Sequence, residues 1–172
     1  MKHVKIFFIS LLTLLLFNSC QEKQIDELVL LDSDRAFAVA AAEGWQLETQ
    51  MSQLAQSNGI TPQVRAYGKQ LVSDYSQKRQ GLRELAKAKN ISLPTNLGSL
   101  SQQKYDSLTR IHGSAFDIAL ANAMARSHQR MYVLFERQSL DGTDTEIKSW
   151  AAEQLPALNK RLELVKSLQS AE

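Results

Sequence analysis

The chain has 172 residues, with 20 Lys and Arg against 18 Asp and Glu, an apolar fraction of 44% and a single cysteine. Its length favours one domain. The ordinary apolar content and net charge of +2 argue against a disordered chain and against a basic nucleic-acid footprint, and one Cys rules out an internal disulfide.

Residues 1–19 carry Lys2 and Lys5, no acid, and an apolar run from Ile6 to Phe17. That run has the length of a signal-peptide hydrophobic region, about 7–15 residues. It falls short of the roughly 20 apolar residues that a spanning helix needs. Asn18, Ser19 and Cys20 follow. A small residue before a lone Cys at this place resembles a bacterial lipoprotein signal, which implies that Cys20 becomes the first mature residue and carries acyl chains on its thiol and its amine. Phe17 stands where that pattern prefers a smaller aliphatic residue. The competing reading is an ordinary secretory peptide with an incidental Cys. Two or more acyl chains anchor a protein stably, because each buried methylene adds about 0.8 kcal/mol. Removal of residues 1–19 takes both surplus lysines, so the mature chain is formally neutral.

Residues 20–32 read as a short tether with an apolar end, and residues 33–170 as the folded domain. A first helix is predicted over about 33–57, where Phe37, Ala40, Gly44, Leu47, Met51 and Leu54 recur at spacings of three and four. Asn58-Gly59 should stop it by adopting a left-handed conformation. Thr61-Pro62 opens a second helix with a cap and a proline at the first position. That helix carries Val64, Gly68, Leu71, Tyr75, Leu82, Leu85 and Ala86 on one face and ends near Lys89-Asn90. A connector from Ile91 to Leu100 leads into a short helix over about 101–111. A third long helix starts at Ser114, with Asp117 as the acid of a capping box, and stops at Asp141-Gly142. A fourth opens with a second box, Thr143-Asp-Thr-Glu146, and contains Pro156, which should kink it. No segment alternates with period two, so the expected fold class is all-α. Short turns inside each helix pair and a long crossover between helices two and three, carrying its own short helix, predict a ferritin-like four-helix bundle.

Several phrases in order support a resemblance. They are Phe37-Ala-Val-Ala-Ala-Ala-Ala-Glu-Gly44 with Glu48, Met51 to Asn58, Val64-Arg-Ala-Tyr-Gly-Lys-Gln-Leu-Val-Ser-Asp74, Phe116-Asp117, Ser127-His128 with Phe135-Glu136, and Trp150 to Leu158. The chain resembles the bacterial ferritin-like family catalogued as domain of unknown function (DUF) 4142, often labelled as outer-membrane protein. The resemblance covers about residues 34–168. It implies a ferritin-like helical bundle in the envelope and brings no activity. Relatives commonly carry His where this chain has Tyr75, and again after the Leu-Pro phrase, where it has Lys160-Arg161; only His128 keeps the pattern.

Di-iron bundles use Glu from two helices and Glu-x-x-His from two more, and this chain has no Glu-x-x-His. At most Glu48, Asp74 and His128 are placed to converge, with Tyr75 beside them as a further ligand-binding candidate. The alternative is that Glu48 pairs with Arg161 or accepts a hydrogen bond from Tyr75, since a buried charge must be partnered. His112 reads as a solvated helix end. The aromatic residues Trp45, Tyr67, Tyr132 and Trp150 read as core, as do Met124 and Met131. Lys78, Arg79, Arg83, Lys87 and Lys89 form a basic cluster that reads as a solvated face, with anionic lipid or a polyanion as its alternative partner. There is no nucleophile elbow and no phosphate loop.

The sequence therefore predicts a lipid-anchored, non-enzymatic envelope protein with a structural or interaction role, lipidated at Cys20. Its domain would lie in the periplasm or at the surface, attached to the outer membrane by its acyl chains. No cofactor and no nucleic acid are expected, and an envelope protein is the expected partner. The alternatives are a metal or small-ligand module at Glu48, Asp74, Tyr75 and His128, and a ferritin-like redox enzyme.

Overall fold

The computed structural model describes the backbone of residues 21–169 and the side chains of residues 33–169. The lipoprotein-type segment and Cys20 lie outside the described residues. Five helices occur among the described residues: α1 (Gln21–Asn58), α2 (Pro62–Ala88), α3 (Ser99–Thr109), α4 (Ser114–Asp141) and α5 (Thr145–Gln169). No strand occurs among the described residues, as the missing period-two alternation requires. No helix among them is long and apolar enough to cross a membrane.

Helix α1 starts well before the predicted residue 33 and runs through the segment read as a tether. Residues 21–42 contain no Gly or Pro and are rich in Ala and Leu, so nothing local ends the helix there. The other boundaries fall within about two residues of their predicted places. Helix α5 continues through Pro156.

The reasons for some boundaries differ from those expected. Asn58, Gly59 and Gly142 are not left-handed; among the described residues only Asn90 (φ 55°) and Gly113 (φ 67°) are. Gly59 and Gly142 are needed for room, because a Cβ on either would stand 2.5 Å from the carbonyl oxygen of Ala55 or Gln138, respectively. Ser114 caps nothing, since the cap position of α4 is Gly113, which has no side chain. Asp117 does not close a box on its own helix. Its carboxylate accepts from Ile60 N (2.9 Å), Thr61 N (2.8 Å) and Thr61 Oγ1 (2.8 Å) in the α1–α2 turn. The α5 cap is Asp144, which accepts from Glu146 N and Ile147 N, while Thr143 donates its hydroxyl to Asp34. A short carboxylate can satisfy either its own helix or a neighbour's turn. Here packing delivers orphan amides of another hairpin to Asp117, and those win.

These contacts reveal an internal repeat. Asp34 accepts from Thr143 N (3.2 Å) and Asp144 N (2.7 Å), as Asp117 does from Ile60 N and Thr61 N. The same number of residues separates Asp34 from Asp117, Asn58 from Asp141, Gly59 from Gly142 and Pro62 from Thr145. The chain is thus two helical hairpins, α1–α2 and α4–α5, each with an aspartate that closes the turn of the other.

The helices pack antiparallel within each hairpin, as Glu48–Tyr75 and Asn122–Gln169 contacts require. Helices α1 and α4 also pack antiparallel, through Glu48–His128 and Asp34–Gln138. Helices α2 and α5 approach less closely, tied at one end by Lys89 to Asp144 (2.8 Å) and Glu146 (3.0 Å). The connector crosses over α1. Gln46 donates to Thr95 O (2.7 Å), and Glu43 accepts from Gly98 N and Ser101 Oγ at the start of α3. The core is continuous and includes Phe37, Trp45, Leu71, Phe116, Leu120, Phe135 and Leu158. Gly68 sets the closest approach of α1 and α2, because a Cβ there would meet the Ser52 carbonyl oxygen at 2.5 Å.

Candidate functional site

Four helices bring polar groups into the centre of the core. Glu48 and His128 are both 0% exposed, on the facing sides of α1 and α4. His128 Nδ1 lies 3.0 Å from Glu48 Oε1 and His128 Nε2 lies 2.7 Å from the Tyr67 hydroxyl. Tyr75 donates to Glu48 Oε2 at 2.6 Å, and Ser127 adds a further hydrogen bond to that carboxylate. Tyr67, Leu71 and Tyr75 recur every four residues on the inner face of α2, so the two phenols flank the pair from one side. Arg161 of α5 lies over the Tyr75 ring, its guanidinium carbon 4.5 Å from the ring centroid.

The electrostatics fix the proton positions. Burial pushes the Glu48 carboxyl up, but the His128 ring, with hydrogen bonds from His128, Tyr75 and Ser127, outweighs burial and holds it below its ordinary value of 4.5. An ionised carboxylate only accepts, so His128 Nδ1 carries a hydrogen and donates. On the other side of the ring, Nε2 and the Tyr67 hydroxyl share a hydrogen bond. Burial first, then the Glu48 charge, pushes both Tyr67 and Tyr75 far above the ordinary tyrosine value, and Arg161 offsets only part of this. Both phenols therefore stay protonated, and Tyr75 donates to Glu48.

The order Tyr67, His128, Glu48 follows the logic of a nucleophile, a base and an orienting acid. It lacks access, since Tyr67 is only 4% exposed and the other two are fully enclosed. Nor do the residues fit a di-metal centre. Both oxygens of Glu48 and both nitrogens of His128 are engaged by the chain itself. Among the described residues, no three of His, Cys, Asp and Glu gather closely enough to hold a metal ion.

Of the residues predicted from sequence, Glu48, Tyr75 and His128 meet, and Asp74 does not join them. One position from Tyr75 on a helix is about a quarter-turn away. Asp74 is accordingly half-buried and borders an outer cleft between α2 and α5. Arg161 forms no ion pair with Glu48; it stacks on Tyr75 instead. The basic cluster of α2 divides among faces. Lys78 borders the α2–α5 cleft, Arg79 and Arg83 border the connector, and Lys89 is paired with α5.

Sequence reasoning placed Tyr67 in the core but missed it as the partner of His128, although its spacing of eight from Tyr75 puts both on one face. It also missed Asp34 and Ser127. A buried acid at the edge of an apparent tether carries no local signal, and a Ser next to the histidine looks like helix surface.

No curated protein and no solved structure matches the chain. Over residues 20–168 it matches the model of a family described as Domain of unknown function (DUF4142), and the protein belongs to that family.

Proposed function

We propose that the protein is a lipid-anchored, non-enzymatic component of the cell envelope, anchored through Cys20, whose helices form a ferritin-like four-helix bundle serving a structural or interaction role. The observation that carries this reading is the closed centre. The position where a ferritin-like protein would present open carboxylates and histidines is filled here by a pair whose acceptors and donors are satisfied by Tyr67, Tyr75 and Ser127. The bundle reading is supported by two antiparallel hairpins, α1–α2 and α4–α5, joined by a connector that returns the chain along α1. The anchor reading is supported by a lone Cys placed directly after a signal-length apolar run.

Two measurements on the full chain test the proposal. Labelled palmitate should be incorporated and the protein retained in the membrane fraction, and Cys20→Ser should abolish both; retention without Cys20 would contradict the anchor. Thermal unfolding should be unmoved by manganese, iron or zinc, because a ligand of the native state raises stability by mass action. A stabilising shift with one metal, lost in Glu48→Gln, would favour the metal-module alternative.

A further inference from the structure

The α2–α5 seam holds an arginine without an anion among the described residues. Arg161 is 5% exposed and lies over the Tyr75 ring, its guanidinium makes no ion pair to a described residue, and its nitrogens are not sealed from solvent. Glu48, the buried carboxylate that accepts from the Tyr75 hydroxyl, is already held by Tyr75, His128 and Ser127. Arg161 faces a cleft enclosing about 270 Å³, bordered by Asp74, Lys78, Lys160, Gln70 and Gln77. None of the four charged groups on that cleft is ion-paired to a described residue.

We propose that this cleft is a binding site for inorganic phosphate. A guanidinium that opens on a cleft offers a planar fork of donors, which matches two oxygens of one oxyanion. Two flanking ammonium groups raise the positive charge beyond what a single carboxylate needs and suit a dianion. A volume of about 270 Å³ has room for a small oxyanion. Asp74 sharpens the choice. Hydrogenphosphate keeps one O–H at neutral pH and can donate it to a carboxylate, which only accepts. Sulfate has no proton to offer, and neither has the phosphodiester of a lipid headgroup, so each would meet Asp74 as a like charge. The site is distinct from the His128–Glu48 centre, and its failure would leave the proposed anchoring and scaffold role untouched.

The test is calorimetric titration of the purified full chain with sodium phosphate, with sodium sulfate at equal ionic strength and with glycerophosphoglycerol as a soluble headgroup. One phosphate per chain is expected, with sulfate and the headgroup each bound at least about tenfold more weakly. Lys78→Gln and Lys160→Gln change side chains at the rim, so they spare the fold and should each weaken phosphate binding about tenfold. Asp74→Asn should narrow the gap between phosphate and sulfate. Absence of phosphate binding, equal binding of sulfate, tighter binding of the headgroup, or indifference to both lysine substitutions would each overturn the proposal.

Discussion

The repeat makes the α1–α5 and α2–α4 contacts equivalent, and the two halves of the core built on them solve the same packing problem with opposite chemistry. The repeat that relates Asp34 to Asp117 also relates Trp45 to His128 and Tyr67 to Trp150. In one half that register produces an aromatic stack: Trp45 and Trp150 rings stand 5.7 Å apart, with Phe135 at 5.2 Å and Phe37 nearby. In the other it produces Tyr67 bonded to His128 at 2.7 Å, extended to Glu48. The α1–α4 crossing is swapped in the same way, with Gly44 against Met131 on one side and Ser127 against Glu48 on the other. One backbone register therefore accepts either a dry cluster or a polar chain. The dry half leaves Trp45 Nε1 without a partner, and Gln154 Oε1, one turn from Trp150, has none either, whereas the polar half satisfies every group of its Glu–His pair. Low-dielectric surroundings strengthen such a chain when it is complete and make any gap in it costly.

The comparison breaks most visibly at Glu48. Glu48→Ala should cost about 3–5 kcal/mol in urea unfolding, because it strands a buried imidazole and a buried phenol together. A cost below about 1 kcal/mol would mean that the two halves are energetically alike. The next largest effect concerns what the halves share. Asp34→Ala and Asp117→Ala each remove a carboxylate from several turn donors, and each should cost about 2–3 kcal/mol. Lying at opposite ends of the molecule, they should add in the double variant. Markedly unequal costs would show that the repeat is geometric without being energetic.

A smaller contrast lies at the helix contacts. Gly68 and Ala151 occupy equivalent positions, and a Cβ at the first would press against the Ser52 carbonyl oxygen. Gly68→Ala should lower stability by about 1–3 kcal/mol through overpacking, and Ala151→Gly by about 1 kcal/mol through helix propensity and lost contact. The smallest effect is pH dependence. Glu48 lies below its ordinary value of 4.5 in the folded state, so it contributes stability above that value and loses it as pH falls through the folded pKa. The urea midpoint should stay level from neutral pH down to the ordinary carboxylate range and then decline. Glu48→Gln should shallow that decline without abolishing it, since Asp34 and Asp144 are also held below their ordinary values, by partners that outweigh burial.

Much of this was legible in the sequence. Apolar spacing of three and four located the long helices, and the Pro94–Gly98 interval marked the connector. Spacing also placed His128 on an inner stripe and Glu48 at the flank of one. Long-range polar choice was not legible. Asp117 sits three residues after Ser114 and so fits a capping box, yet its partners lie more than fifty residues earlier. The repeat was hidden because equivalent positions differ in chemistry, His for Trp and Trp for Tyr. The stripe carried Tyr75 and left Asp74 beside it; grouping Asp74 with the centre overlooked that one position on a helix turns a side chain about a quarter-turn away.

The most direct measurement is urea unfolding of a variant that makes the polar half as dry as the other: Glu48→Leu, His128→Leu, Tyr67→Phe and Tyr75→Phe combined, which keeps the ring beneath Arg161. If the centre is a closed structural network, replacing the pair and both phenols should cost less than Glu48→Ala alone, because no carboxylate, imidazole or phenol is left stranded. A combined loss equal to or greater than the sum of the four single losses would contradict that.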